Sequence, residues 1–348
     1  MATRIVGIDI GSTSVRAVEI EGSTKARPSI VRFHEVPLPS GAAKSGEVLE
    51  THTVASALKK LWSSGGFKSK DVVLGMGNQR VIARDLVMPK MSLTQIREAL
   101  PFQVQDMLPM PVSEALLDFY PISEAEGDNG PVVNGLLVAA VKQSVLANVD
   151  AAILAGLSPV EVDLIPFALT RLQARAHGGP GTIAVVDVGS ATTNVVIIIG
   201  GIPQFVRIIP AGGNDVTLAV AMSLEIEEGI AENAKRALGF SPTAVNPEHR
   251  PIVEQINRAT AELLNSIRNT LVYFDNTHQV PNVERIVLSG GGSRLSGFAA
   301  ALQELTRTEV VLSDPFATLS VSKSLNQAPP EVRDSMSVAL GLALGAAA

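Results

Sequence analysis

The sequence predicts an α/β protein with two related halves and a smaller module inserted into the first half. Three observations lead to this prediction. An apolar strand that ends in Asp, followed after one residue by Gly and a hydroxyl-rich turn, occurs twice, at Asp9 and at Asp187. Three glycines at 290–292 separate another predicted strand from a helix, and residues 84–163 are unusually rich in Met and Pro. The repeated unit favours an internal duplication.

Composition excludes several classes of protein. The 348 residues include 28 Lys and Arg, 34 Asp and Glu, and no Cys, with a net charge of −6. The absence of Cys excludes a disulfide framework, a Cys-ligated metal centre and a Cys nucleophile. The 46% hydrophobic content allows a large core, and the length is typical of about two domains. Because an acidic chain without a Lys/Arg cluster cannot neutralise many phosphates, we expect no nucleic-acid partner.

The two ends of the chain predict neither a secretory signal nor a membrane anchor. Residues 1–4 lead directly into an apolar strand, without the charged-then-apolar pattern of a signal peptide. The apolar segment 336–348 has about 13 residues, whereas a membrane-spanning helix needs about 20. Its small side chains favour a helix packed against the body. We therefore expect a cytoplasmic protein without direct membrane insertion.

The first half is predicted to contain three strands, a helix and a strand. Apolar runs and period-two alternation indicate the strands, and the glycines at 65 and 66 indicate the end of the helix. These elements cover residues 4–10, 14–20, 30–36, 53–64 and 72–76.

The inserted module is predicted to combine a capped helix with a strand pair. Ser92 and Gln95 have the spacing of a capping box, and Pro101 is expected to kink the helix that they open. A polar turn separates the strand-like runs 116–122 and 135–141, which are expected to pair. Methionine-rich surfaces are typical of adaptable peptide-binding sites, whereas ordinary core filling explains the methionines equally well.

The second half restarts the pattern of the first after a glycine-rich linker at 178–181. Strands are predicted at residues 183–186, 194–199 and 285–288, and a helix at 295–305. Gly beside Ser or Thr at a tight hairpin lets backbone N–H groups approach an anion. A carboxylate at the end of a buried strand is costly unless it meets a cation, and beside phosphates that cation is hydrated Mg²⁺. One such unit also fits an ordinary turn, but two units favour a nucleotide site.

These elements resemble the two phosphate loops and the adenosine loop of the actin-like ATPase superfamily, which includes actin, the Hsp70 ATPase domain, sugar kinases and FtsA. Within it the chain looks most like the PilM family of type IV pilus assembly. Residues 7–19 are similar to the opening of that family, with Arg16 where Lys is usual. The resemblance implies an actin-like ATPase fold, with two lobes of duplicated ribonuclease-H-like subdomains and an FtsA/PilM-type inserted subdomain.

The resemblance also implies domain boundaries. The first-lobe core would comprise residues 1–83, 164–180 and 333–348, with the inserted subdomain at 84–163. The second-lobe core would comprise 181–213 and 284–332, with a helical subdomain at 214–283.

The resemblance further implies a site for ATP or ADP with Mg²⁺. Asp9 and Asp187 would face the metal through water. The phosphates would be held on one side by Gly11, Ser12, Thr13, Ser14 and Arg16, and on the other by Gly189, Thr192 and Thr193.

The base and ribose side is implied by three further groups. Glu232 and Lys235, three apart on one helix face, would contact ribose and adenine, or alternatively form an exposed ion pair. Gly290, Gly291, Gly292 and Ser293 would line the base. Gly212, Gly213 and Asn214 either begin a helix or approach the nucleotide.

One departure concerns hydrolysis. In several hydrolytic relatives a Glu that precedes a Pro positions the attacking water, and Ile165-Pro166 occupies that place here. Asp163 is a candidate substitute, but it lies two residues further back, so the catalytic residue stays unknown. Because orienting water contributes heavily to phosphoryl transfer, we expect ATP binding with very slow turnover at most.

By resemblance, the function is that of an ATP-binding scaffold whose nucleotide state tunes its grip on a partner. That partner would be the cytoplasmic N-terminal tail of a PilN-type inner-membrane protein, bound in a groove by the inserted module. The tail would recruit the chain to the inner face of the membrane. Other pilus assembly components and a homo-oligomer are compatible with this function. The alternative is a small-molecule kinase, which would release ADP only with its acceptor.

Overall fold

The first half of the chain forms a mixed sheet. The computed structural model describes residues 4–177, 179–240, 246–322, 325 and 327–345, so part of the predicted linker (178) and the chain end (346–348) lie outside it. In order, the elements are β1 (Arg4–Ile10), β2 (Ser14–Glu21), β3 (Ser29–Pro37), β4 (Ala43–Lys44), β5 (Glu47–Val48), α1 (Thr51–Gly65) and β6 (Asp71–Met76). β1, β2 and β3 are antiparallel, and β6 runs parallel to β1. The helix α1 ends at Gly66 in the left-handed conformation that glycine adopts without strain.

A three-stranded antiparallel sheet and one helix form the inserted module. Its elements are β7 (Val81–Pro89), α2 (Leu93–Gln103), β8 (Ala115–Gly127) and β9 (Gly130–Val141), with β9 in the centre. The predicted pairing of β8 with β9 is confirmed, and so is the capping box of Ser92 and Gln95. Met88 is buried under α2, with Met91 and Met107 packed against it. These three methionines therefore fill a core.

The chain then returns to the first sheet earlier than the predicted insertion boundary at residue 163. The next elements are α3 (Lys142–Leu154), β10 (Ser158–Leu164) and α4 (Ile165–His177). β10 pairs in parallel with β6, and Ala151 and Ala152 of α3 are buried in one core with Leu58 of α1. By their packing, α3 and β10 belong with the first lobe, because their apolar faces are buried there.

The second half repeats the sheet of the first. Its elements are β11 (Thr182–Val188), β12 (Thr193–Ile199), β13 (Ile202–Ile209), α5 (Gly213–Leu224), α6 (Glu228–Leu238), α7 (Arg250–Thr277), β14 (Arg285–Ser289), α8 (Phe298–Thr306) and β15 (Glu309–Leu312). The order β13-β12-β11-β14-β15 matches β3-β2-β1-β6-β10 strand for strand. This correspondence is the duplication that the repeated hairpin predicts.

The last described elements are β16 (Ser320–Val321), α9 (Pro330–Ser335) and α10 (Ser337–Gly345), of which β16 and α10 return to the first lobe. β16 pairs with β3, although it falls in the segment predicted for the second lobe. The helix α10 is buried against β1 and α4, where a Cβ at Gly7 or Gly341 would overlap neighbouring backbone. In the described part of the chain, none of the helices combines the length and apolar character needed to cross a membrane.

Candidate functional site

A cavity of about 950 Å³ lies between the two sheets, and both halves of the chain line it. The β1–β2 turn, the β11–β12 turn, the glycines after β14 and residues of α6 all line it. Of the 19 binding residues predicted from sequence, 15 line this cavity: Asp9, Gly11, Ser12, Thr13, Arg16, Asp187, Gly189, Thr192, Gly213, Asn214, Glu232, Lys235, Gly290, Gly291 and Gly292.

The two hairpin turns have the same geometry. The N–H of Gly11 donates to the carbonyl of Ser14, and the N–H of Gly189 donates to the carbonyl of Thr192, each at 2.9 Å. Both turns connect antiparallel strands with the same loop length. The close turn therefore follows from the repeated Asp-x-Gly pattern in each half, and the tertiary fold brings both turns to the same cavity.

Two buried carboxylates mark the centre of the cavity. Asp9 and Asp187 are 8% and 6% exposed. Burial raises the pKa of Asp9, against the opposing effect of Arg16. Burial, and then the charge of Asp9, raise the pKa of Asp187 to about 6, although Ser289, Arg16 and Asn194 favour its charged form. The charged forms of both carboxylates are thus unfavourable without additional positive charge in the cavity.

The donor set at this centre suits a hydrated Mg²⁺. In the described residues there is no group of three or more His, Cys, Asp and Glu side chains that could enclose a metal ion. Mg²⁺ usually keeps several waters and takes one or two carboxylates together with ligand phosphates. Two buried carboxylates between two phosphate-type turns fit this pattern, so Asp9 and Asp187 are the residues that would hold the ion.

Arg16 and Ser12 connect the first turn to its surroundings. The Arg16 guanidinium donates to Asp9 at 3.2 Å and pairs with Glu35 at 3.0 Å. The Ser12 hydroxyl accepts a 2.7 Å hydrogen bond from the Ser45 N–H. Glu35 and Ser45 also line the cavity, but no local sequence signal identifies them, because both reach the site through strand pairing and tertiary contact.

A buried polar cluster on α6 forms one wall. Lys235 is 8% exposed and donates to the Gly213 carbonyl and the Thr217 hydroxyl, each at 2.8 Å. Its Nζ lies 2.5 Å from Glu232. Burial by itself would raise the pKa of Glu232, but hydrogen bonds from Lys235, Thr217 and Arg236 lower this pKa to about 2. The alternative of an exposed ion pair is wrong for Lys235, which is part of the cavity wall.

Helical spacing would have identified two further wall residues on α6. Glu228 lies one turn before Glu232, Arg236 lies one turn after it, and both line the cavity.

The glycines serve both the helix start and the cavity wall. Gly212 is the N-cap of α5, and a Cβ there would lie 2.5 Å from the Gly189 carbonyl oxygen. The Gly213 N–H donates to that same carbonyl at 2.9 Å, which joins α5 to the second turn. Gly290 has φ +83, and a Cβ there would overlap the Val188 carbonyl, whereas a Cβ at Gly291 would meet open space.

The adenosine-type loop differs from the prediction in one respect. A short 3-10 turn, Gly291–Arg294, follows β14, and α8 begins only at Phe298, three residues later than predicted. The Ser293 hydroxyl donates to the Gly290 carbonyl at 2.7 Å, so this side chain supports the loop from behind. Four predicted residues lie behind the cavity surface in this way: Ser14, Thr193, Gly212 and Ser293.

The return segment 330–338 adds residues that the sequence did not predict. Arg294 in the 3-10 turn is paired with Asp334, and both line the cavity. Burial raises the pKa of Asp334, against the hydrogen bond from Arg294. The two residues are separated by 40 positions, so no local pattern could have joined them.

Asp163, the candidate substitute for the missing Glu, does not line the cavity. Among the described residues of this segment, Ile165 lines the cavity but Asp163 does not. The Asp163 carboxylate is paired with Arg171 and accepts the Leu164 N–H at 2.7 Å. The geometry therefore gives no support to Asp163 as a catalytic residue.

Comparison with known proteins identifies the relatives of this fold. The family model "Type IV pilus assembly protein PilM" matches residues 7–347. A solved PilM-PilN type IV pilus biogenesis complex superposes with a TM-score of 0.86 at 29% identity, covering 99% of this chain and 98% of that one. MreB 5 of Spiroplasma citri, bound to AMPPNP, has a TM-score of 0.56 at 12% identity over 98% and 95% of the two chains, which shows a shared fold.

Curated relatives of the chain include FtsA cell division proteins. FtsA of Borreliella burgdorferi is 27% identical over 180 residues, which cover 47% of this chain and 42% of that protein. FtsA of Escherichia coli K12 is 24% identical over 38% of this chain and 37% of that protein. The chain thus spans less than half the length of these relatives. FtsA of Pseudomonas aeruginosa is 23% identical over 90% and 83% of the two chains.

Proposed function

The chain belongs to the PilM family of type IV pilus assembly proteins, and from this premise we propose that it is an ATP-binding scaffold that holds a PilN-type tail. One observation carries the nucleotide part of the proposal. Two phosphate-type turns, two buried carboxylates and a glycine loop line a single cavity, although they are far apart in sequence. The solved MreB relative with the same fold binds AMPPNP, which supports the same class of ligand here.

Different residues of this cavity would contact different parts of the nucleotide. Backbone N–H groups and hydroxyls of the two turns, with Arg16, would contact the phosphates. Glu232 and Lys235 would contact ribose and adenine, and Gly291 would let the flat base lie against the backbone. Asp9 and Asp187 would hold Mg²⁺, which would supply positive charge to neutralise the phosphates.

Hydrolysis is expected to be slow or absent. By resemblance to hydrolytic relatives, the residue that would orient water corresponds to Ile165 here, an apolar side chain that lines the cavity. Orienting the attacking water is a large part of catalysis in phosphoryl transfer. In this proposal the nucleotide therefore sets the angle between the lobes and tunes partner binding, and it is not rapidly consumed.

A groove beside the inserted module is proposed for the tail of the partner. A second cavity of about 230 Å³ lies where the β4–β5 hairpin meets the start of β7, and its walls are Lys44, Ser45, Glu47, Leu49, Asn78, Gln79 and Arg80. Leu49 is 54% exposed there, and Arg80 pairs with Glu47 at 3.0 Å. The groove thus offers an apolar contact beside charged groups. A PilN-type tail bound there would recruit the chain to the inner face of the membrane.

The nucleotide part is tested by measuring ATP binding and phosphate release with Mg²⁺. Wild type is compared with Asp9→Ala and Asp187→Ala, and with Asp150→Ala, an exposed residue on α3, as the control. The expected result is ATP binding that both site variants lose, with near-zero turnover. Rapid turnover that required a small-molecule acceptor would refute the scaffold and favour a kinase.

The partner part is tested with a peptide of a PilN-type tail. Leu49→Glu should weaken the saturable binding of the peptide at least tenfold while ATP binding is unchanged, because a charge replaces the exposed apolar contact. Leu312→Glu is the matched control, since Leu312 on β15 is 55% exposed and remote from the groove. Equal effects of the two variants would contradict the assignment of the groove.

A further inference from the structure

Three charged residues form one row across the first sheet at the edge of the cavity. Strand pairing places Asp9 opposite Arg16 and Arg16 opposite Glu35, on the adjacent strands β1, β2 and β3. All three line the cavity. The row therefore presents a negative, a positive and a negative group in direct succession beside the first phosphate-type turn.

The Arg16 guanidinium is held at both ends. Nη1 donates to Asp9 at 3.2 Å, and Nη2 pairs with Glu35 at 3.0 Å, so each terminal nitrogen serves a different carboxylate. A guanidinium has five N–H groups in a rigid plane, and three remain after these two contacts. Among the residues that the structure describes, none accepts from the buried Nε–H of Arg16.

The second half of the chain provides an internal comparison. The same row there consists of Asp187, Asn194 and Ile208 on β11, β12 and β13. A neutral amide and an apolar side chain thus take the places of Arg16 and Glu35 in an equivalent sheet. The charged row is not required to build this sheet, so its presence in the first half needs another reason.

We propose that Glu35 is a positioning residue for Arg16. By holding one arm of the guanidinium, Glu35 prevents a two-armed pairing of Arg16 with Asp9 and keeps the remaining N–H groups directed toward phosphate oxygens. This inference rests on the proposed binding of a nucleotide in the same cavity. It assigns a role to a carboxylate that would not itself contact the nucleotide.

The direction in which ATP affinity changes when Glu35 is removed distinguishes positioning of Arg16 from a simple effect of charge. Removing a negative group from the cavity should strengthen the binding of a polyanion if only Coulomb attraction matters. If Glu35 positions Arg16, its removal lets both arms turn to Asp9 in the bidentate geometry that guanidinium and carboxylate prefer. The remaining N–H groups then point in a different direction, so phosphate loses its aligned donors. Binding therefore becomes weaker although one negative charge has gone.

The experiment measures ATP dissociation constants by calorimetry, with Mg²⁺ and with chelator. Glu35→Gln should weaken ATP binding on the order of tenfold in both conditions, the size of one charge-assisted hydrogen bond. Glu309→Gln is the matched control, since Glu309 pairs across strands with Arg285 at 2.7 Å in the second sheet, away from the cavity. It should change ATP binding less than about twofold.

A double-mutant cycle tests whether Glu35 acts through Arg16. Lysine has no planar fork to orient, so Glu35→Gln should cause no further weakening in an Arg16→Lys background. Thermal melts of each variant check that it is folded.

Unchanged or tighter ATP binding by Glu35→Gln would overturn the inference, and so would additive losses in the cycle. A wild-type protein that binds no ATP would instead refute the proposed function.

Discussion

Replacing Asp187 by asparagine should stabilise the nucleotide-free protein at neutral pH, although it removes a residue of the proposed site. The Asp187 carboxylate is 6% exposed, and burial together with the nearby charge of Asp9 raises its pKa from 3.8 to about 6. Its ionisation in the folded state is therefore costly. Asparagine has the same shape and no charge, so this cost is absent in the variant.

The pH dependence follows from the direction of the shift. Between pH 3.8 and about 6 the folded protein retains a proton that the unfolded chain has released. Stability therefore falls as pH rises through this window, and it falls no further above it. At about 1.4 kcal/mol per pKa unit, the cost at neutral pH is on the order of 3 kcal/mol. Ser289 and Asn194 favour the charged form of Asp187, and loss of that effect reduces the expected gain to roughly 1–2 kcal/mol.

The assay is urea denaturation without nucleotide or Mg²⁺, at about pH 7.5 and about pH 3. Asp187→Asn should unfold at higher urea than wild type at the higher pH. The difference should disappear at the lower pH, where the Asp187 carboxyl is protonated in both the folded and the unfolded chain. Asp150→Asn, on the exposed surface of α3, is the control. A lower urea midpoint for Asp187→Asn at both pH values would refute the electrostatic reasoning. ATP with Mg²⁺ should stabilise the wild type and not the variant.

Three further predictions concern other parts of the fold. Gly290→Ala should cost at least about 2 kcal/mol of stability, because φ is +83 and a Cβ would overlap a backbone carbonyl. Gly291→Ala should cost less than about 0.5 kcal/mol, because a Cβ there meets open space. Similar urea midpoints for the two variants would contradict this prediction. Lys235→Met should lower stability on the order of 2 kcal/mol at neutral pH, since it leaves the carboxylate of Glu232 without its buried cation. The stability from the lowered pKa of Glu232 is present above about pH 4.5 and is lost as pH falls toward 2. Urea midpoints of Lys235→Met should therefore depend less on pH in that range than those of wild type. Parallel pH profiles of the two proteins would argue against this prediction. Ser92→Ala should lower stability by about 1 kcal/mol through loss of the capping box, and an unchanged unfolding midpoint would show that the cap contributes nothing.

The sequence pattern within a few residues predicted those features of the fold and of the site that depend on neighbours in the chain. Each Asp-x-Gly turn follows directly from an apolar strand, so its close hairpin could be predicted from a few residues. The helix end at Gly66 and the cap at Ser92 are local in the same sense. The repetition of one unit also predicted two equivalent sheets, because the same pattern in each half favours the same fold.

Other predictions went beyond local pattern and rested on family resemblance. The contacts of Glu232 and Lys235 with ribose and adenine were implied by that resemblance, and both residues lie in the cavity wall. Resemblance also implied an insertion that extends to residue 163. Packing instead joins α3 and β10 to the first lobe, since a strand can complete a parallel sheet from any distance along the chain.

Only the tertiary structure decided which distant residues meet at the cavity. Glu35 reaches Arg16 because strand register places them opposite each other, and Asp334 reaches Arg294 because the chain returns to the first lobe. The same is true of Lys235, whose burial depends on the packing of α5 against α6. The sequence by itself determined the two turns and the duplicated sheets, since both follow from short-range spacing. The charge environment of the cavity was decided by register and long-range packing, which no local spacing encodes.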